Sequence, residues 1–253
     1  MKKLLLTIIG LLLLSACLTT APTITSPMLT PTITKTPTPA VIWFPPTATT
    51  TAISPTMAPS PTPDLRPGIG SIILEDNFNN AEFWLIKHTT TSMVGLGDHE
   101  LTLALSQPKG YLYSVRTEPH FNNFYAEITT SPSLCSGEDQ YGLLLRFNSA
   151  SSFYRLSLSC NGQMRLDRIV GGTASSPQGW LPSASVPSAA PSSSRLGVWM
   201  LDKEMRFFIN DRFQFSILDP MLTSGAMGVF VRSGGETAVT VNFSDFIVYN
   251  ISP

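Results

Sequence analysis

Tyr141-Gly142-Leu143-Leu144-Leu145-Arg146-Phe147-Asn148, followed after Ser149-Ala150-Ser151-Ser152 by Phe153-Tyr154-Arg155-Leu156-Ser157-Leu158-Ser159-Cys160, decides the fold class. Tyr141, Leu143, Leu145 and Phe147 recur at period two, and Tyr154, Leu156 and Leu158 repeat the spacing. Alternation of this kind places every second side chain on one face, the mark of a half-buried strand. Met205, Phe207 and Ile209, then Phe213, Phe215 and Ile217, then Met227, Val229 and Val231 carry the same pattern. Asn210-Asp211 and Asn161-Gly162 lie between such runs, where residues that tolerate positive φ close tight hairpins. Long amphipathic helical spacing is missing. The prediction is an all-β domain from Gly68 to Pro253 with about ten to twelve strands, folded as a two-sheet antiparallel β-sandwich or jelly roll. A segment of that size can bury roughly 70% of its unfolded surface in a single core.

The N-terminus reads differently. Met1-Lys2-Lys3 precedes an apolar run from Leu4 to Leu14, which is too short to span a bilayer and fits a secretory signal. The run ends in Leu14-Ser15-Ala16-Cys17, which resembles the bacterial lipobox. That resemblance makes residues 1–17 a lipoprotein signal and Cys17 the lipidated first residue of the mature chain, anchored on the extracytoplasmic side of a membrane in the cell envelope. Residues 18–67 are built mostly of Thr, Pro, Ser and Ala, as in Thr36-Pro37-Thr38-Pro39 and Pro59-Ser60-Pro61-Thr62-Pro63. Proline withholds backbone donors and favours the extended polyproline conformation, so this reads as a disordered, solvated stalk. Its reach would be about 150 Å fully extended and ~40 Å as a coil. Val41-Ile42-Trp43-Phe44 interrupts it with a short apolar cluster.

Charge narrows the partners. Sixteen Lys and Arg against 17 Asp and Glu give a formal net charge of -1. Without clustered positive charge the chain is unsuited to nucleic acid. Three cysteines are an awkward number for an oxidising compartment, but assigning Cys17 to lipid leaves Cys135 and Cys160 as a pair. In a regular hairpin across Ser149–Ser152, Tyr141 falls opposite Cys160, beside the loop that carries Cys135, so the two thiols can meet. Two reduced, buried cysteines are the alternative.

The succession Asp76-Asn77-Phe78 with Trp84, the two strands quoted first, Arg195-Leu196-Gly197-Val198, Phe208-Ile209-Asn210-Asp211, Ser224-Gly225-Ala226-Met227-Gly228-Val229 and Val241-Asn242-Phe243-Ser244-Asp245-Phe246 resembles the concanavalin A-like lectin/glucanase superfamily. The likeness is nearest to LamG-like domains of bacterial surface lipoproteins and sensors. It implies a concanavalin A-like jelly roll, and it specifies activity poorly, because domains of this kind bind sugars, hydrolyse glycans or pack against proteins.

Catalysis by the superfamily's retaining glucanases implies a Glu-x-Asp-x-Glu strand, whose alternate carboxylates share one face. That pattern does not occur here. Glu75-Asp76 and Glu138-Asp139 are adjacent pairs that would point to opposite faces of a strand, and His88, His99 and His120 lack metal-ligand spacing. Binding has more support. In the same regular hairpin Arg146 lies opposite Arg155 on the face turned from the core, an unfavourable pairing that solvent, Asp167 on the next strand or an anionic ligand such as an acidic sugar would offset. Trp180 and Trp199 supply flat apolar surfaces of the kind on which sugar rings pack. Asp76 and Asn77 offer oxygens to Ca²⁺, and no other cofactor is indicated. Gly179 to Ser194 reads as a long loop, either a surface excursion or a lid. The sequence therefore points to a non-catalytic carbohydrate-binding or adhesion domain on a lipid-anchored stalk, with a divergent glycoside hydrolase and a purely structural protein-interaction domain as the rivals. Oligomeric state is not encoded in any of these features.

Overall fold

The structure is a computed structural model that describes residues 63–252 apart from 236. The signal, Cys17, most of the stalk and Val41–Phe44 lie outside the described residues.

Fifteen strands occur among the described residues: β1 (Ile69–Asp76), β2 (Lys87–His88), β3 (Ser92–Gly97), β4 (Glu100–Leu105), β5 (Tyr111–Phe121), β6 (Phe124–Leu134), β7 (Gln140–Ser149), β8 (Ser152–Ser159), β9 (Gln163–Val170), β10 (Thr173–Pro182), β11 (Ser194–Leu201), β12 (Glu204–Ile209), β13 (Arg212–Leu218), β14 (Gly225–Arg232) and β15 (Val239–Ile251). They form two antiparallel sheets. One runs β10-β9-β8-β7-β14-β5; the other runs β13-β12-β11-β6-β15-β4-β3-β2, with β1 also paired to β15. The surplus over ten to twelve comes from short strands such as β2, which periodicity over two residues cannot reveal.

Both sheets turn their alternating apolar residues onto one shared core. Tyr141, Leu143, Leu145, Tyr154, Leu156, Leu158, Met227 and Val229 from the six-stranded sheet meet Leu101, Leu103, Phe124, Leu196, Val198, Met205, Phe207 and Phe243 from the other. Each such side chain contributes about 1.5 to 3 kcal/mol by leaving water, which is the period-two pattern expressed as free energy.

The register of the β7–β8 hairpin departs from the regular one. Ser149 pairs with Ser152 at the turn, but a bulge follows, and beyond it Leu145 pairs with Tyr154, Leu144 with Arg155 and Tyr141 with Leu158. Arg146 sits in the bulge with φ of 46° and turns inward, where it is 0% exposed. Its guanidinium donates to the carbonyls of Leu222 (2.6 Å), Asn122 (3.1 Å) and Asp202 (2.8 Å), tying three loops together. Phe147 is thereby displaced to the opposite face from Leu145, beside Phe153. Arg146 therefore does not oppose Arg155 and cannot meet a ligand, a correction to the outward position that simple alternation predicts.

Cys160 donates its backbone N–H to Asp139, just beyond β8. There it is joined to Cys135 by a disulfide, with 5.8 Å between the Cα atoms.

Two further segments differ from the sequence reading. Gly179–Pro182 is not loop but the end of β10, an added edge strand that carries Trp180; the connection to β11 is residues 183–193, and its Val186 enters the core. The end of the stalk is also ordered against the domain. Trp199 donates its indole N–H to Pro67 O (2.9 Å), and Arg206 donates to Leu65 O (2.9 Å). Arg66 bonds Asp211 (2.7 Å) and Tyr125 Oη (3.1 Å), with its guanidinium 5.7 and 5.3 Å from the Tyr125 and Phe208 ring centres. Residues 65–67 thus form a strap across the outer face of the larger sheet.

Candidate functional site

The outer face of the six-stranded sheet brings together arginines, aromatic rings and a buried carboxylate. Because β7, β8 and β9 point Tyr141, Leu156 and Leu166 inward, the residues between them point out. Register then sets three rows. The first is Tyr111, Arg232, Gln140, Ser159 and Gln163; the second is Tyr113, Phe230, Gly142, Ser157 and Arg165; the third is Val115, Gly228, Leu144, Arg155 and Asp167.

One side of this face is aromatic. Phe230, Tyr111, Tyr113, Phe147 and Phe153 make successive ring contacts with centroids 5.5 to 6.0 Å apart. The Arg155 guanidinium reaches into that row, 5.7 Å from the centres of both Tyr111 and Phe230. Gly142, paired with Ser157 and Phe230, leaves the middle of the face without a side chain. Its φ is 151°, and a Cβ there would stand 2.1 Å from Leu156 O, so the position requires glycine. Tyr111 is 39% exposed, and its phenol is a neutral donor at ordinary pH.

The other side is polar. Asp167, 1% exposed, accepts from Arg155 (2.8 Å), Arg165 (2.5 Å) and Ser176 Oγ (2.7 Å). Arg165 in turn lies over the Trp180 ring at 5.6 Å, a cation–π contact that orients a ring still 37% exposed. Trp180, Glu138, Gln140, Ser159, Asn161 and Gln163 line a depression of about 170 Å³. Arg155 Nε and Ser157 Oγ are buried on this face and have no hydrogen-bond partner among the described residues.

Of the residues singled out from sequence, Arg155, Asp167 and Trp180 share this face. Trp199 does not. It is 1% exposed, packed with Tyr125 and Phe208 under the strap on the far side of the sandwich, with Arg206 over its ring at 4.4 Å. Asp76 and Asn77 are likewise engaged elsewhere. Asp76, buried, accepts from Phe78 N–H, Trp84 Nε1 and Arg116 Nε, and the exposed Asn77 accepts from Asn79 N–H; both line a separate depression with Glu75, His99 and Asp245. Among the described residues no group of three His, Cys, Asp or Glu stands close enough to hold a metal ion.

Arg165, Tyr111, Tyr113, Gln140, Gln163 and Arg232 were not singled out by sequence. The signal was present: in Gln163-Met164-Arg165-Leu166-Asp167 and Tyr111-Leu112-Tyr113 the polar and aromatic residues alternate with inward apolar ones.

No family model matches the chain, and no curated protein matches its sequence. Solved structures do match in shape. A carbohydrate-binding module from Bacillus subtilis is 13% identical with a TM-score of 0.54, covering 66% of this chain and 96% of that one. A protein of unknown function with a galectin-like fold, also from Bacillus subtilis, is 16% identical (TM-score 0.54; 73% and 99% covered). The Bacillus licheniformis beta-glucanase is 11% identical (TM-score 0.54; 72% and 99% covered). The domain has the concanavalin A-like β-sandwich fold that these proteins share.

Proposed function

We propose that the domain is a non-catalytic carbohydrate-binding module, displayed on a bacterial surface by a lipid on Cys17 and the Thr/Pro-rich stalk. The observation that carries this reading is Trp180: a half-exposed ring, oriented by Arg165, at the rim of a depression lined by Gln140, Ser159, Asn161 and Gln163. A flat apolar ring beside amide and hydroxyl groups suits a pyranose, whose C–H face packs while its hydroxyls bond outward. Support also comes from the fold likeness to a carbohydrate-binding module. Hydrolysis would need two free carboxylates about 5 to 9.5 Å apart across a bound sugar. Asp167 is a poor candidate for that work, since both of its oxygens already accept from arginine and serine donors.

A glycan-array screen of the mature chain carrying Cys17→Ser, run beside a hydrolysis assay on the same polysaccharides, tests the reading. Binding without cleavage is the outcome it requires. Cleavage would make the protein a hydrolase, and silence in both would favour a protein-interaction domain.

A further inference from the structure

We propose that the glycan recognised on the outer face of the six-stranded sheet bears an acidic group, a carboxylate or a sulfate. This rests on the carbohydrate-binding reading and narrows its ligand. The face carries three guanidinium groups, Arg155, Arg165 and Arg232. Against them stand Asp167, buried and shared between the first two, and Glu138, exposed at the rim of the depression. Arg232 is exposed and makes no ion pair among the described residues. Its register partners are Tyr111 and Gln140, both of which offer donors.

The buried donors point the same way. Ser157 is fully buried with its hydroxyl unpartnered, and Arg155 Nε is buried and unpartnered one row away. Such donors leave the face short of acceptors, a deficit best met by an anionic oxygen held at its accessible guanidinium groups. Gly142 and Ser157 are themselves covered, whereas the Arg155 side chain keeps 14% exposure, Arg165 31%, and Arg232 is exposed, so the face is reached through its guanidinium groups. An acidic substituent set on these guanidinium groups would meet the exposed Arg232 and the accessible part of Arg155, while its ring extends toward Trp180. Arg165, stacked on Trp180, keeps the path between the two cationic throughout.

The test is an array holding polygalacturonate and its methyl ester, and dextran sulfate and dextran, together with neutral cell-wall and host glycans. In at least one acidic–neutral pair the acidic member is expected to bind ten-fold or more tightly than its neutral counterpart, with affinity falling as salt rises. Arg232→Gln should cut the acidic affinity five- to ten-fold. Carboxylate and sulfate sources separate by which pair responds. Binding confined to neutral glycans, or an Arg232→Gln variant that binds the acidic glycan normally, overturns this proposal and leaves the carbohydrate-binding reading standing. Absence of any bound glycan overturns both.

Discussion

Arg165 lies over Trp180, 5.6 Å from its ring centre, while its Nε donates to Asp167 at 2.5 Å. One arginine therefore couples a buried carboxylate to a partly exposed aromatic ring of the face. The ring is held in place in advance, which would lower the entropy lost if a sugar packs on it.

Trp180→Ala should consequently weaken glycan binding by about 2 kcal/mol, roughly thirty-fold, the usual effect of truncating an aromatic anchor. Because β10 is an edge strand and the ring is partly exposed, the urea midpoint should barely move. Calorimetric titration with the array's best ligand, paired with an unfolding curve, separates the two effects.

Arg146→Ala is the converse case. The guanidinium holds three backbone carbonyls from separate loops, so its loss should cost roughly 3 to 5 kcal/mol of stability. Protein that remains folded should bind glycan with unchanged affinity. Urea denaturation reads the first quantity and titration the second.

Tyr141 gives a pH prediction. Its hydroxyl is buried without a partner among the described residues, and burial pushes its pKa up to about 12. The native state keeps this proton where the unfolded chain, titrating near 10, has lost it. This group leaves stability unchanged below pH 10 and lowers it as pH rises toward 12, where the unfolded chain ionises first, by about 2 to 3 kcal/mol in all. Tyr141→Phe should match or exceed the wild-type stability at pH 7, since it removes an unpaired buried group, and should lose less stability between pH 9 and 11. Equal alkaline losses in both proteins would assign the sensitivity to other tyrosines.

Replacing both Cys135 and Cys160 by serine opens a loop with a sequence separation of 25. The expected loss is about 3 to 4 kcal/mol in the chain-entropy model. Thermal unfolding of wild-type and double-serine proteins under oxidising conditions measures it. A change under 1 kcal/mol would mean that contacts around Asp139 already hold the loop.

Cys17→Ser should release the protein from the membrane fraction or leave its signal unprocessed, because the apolar run from Leu4 to Leu14 is too short to serve as an anchor. Fractionation with a pulse of labelled palmitate decides it. Retention of the variant in membranes would sink the lipobox reading.

Fold class was legible because one face of nearly every strand is buried, and burial imposes period two on sequence. Register was less so. The hairpin is regular at Ser149 and Ser152, then slips at a bulge in which Arg146 takes positive φ. Nothing in Leu145-Arg146-Phe147-Asn148 announces that slip; it is decided by carbonyls at Asn122, Asp202 and Leu222, far away in sequence. The site was legible only in fragments for the same reason. Arg155 and Asp167 are twelve residues apart and could be matched by hairpin logic, whereas Tyr111 reaches Arg155 only through a strand order, β8-β7-β14-β5, that local patterns do not contain. Trp180 and Trp199 looked equivalent as sequence; tertiary packing put them on opposite outer faces.

The strap at residues 65–67 has a mechanical consequence. A pull on the chain at Pro63 reaches the domain first through Leu65, Arg66 and Pro67, whose partners Arg206, Asp211 and Trp199 belong to β12, the β12–β13 turn and β11. Tension is therefore delivered into the body of the larger sheet before it can begin to peel β1 from β15 at Ile69 and Ile251. A protein gripping a glycan with one sheet while tugged through the other would yield at these few strap contacts first, paying out a short length of chain as a shock absorber with the sandwich still closed.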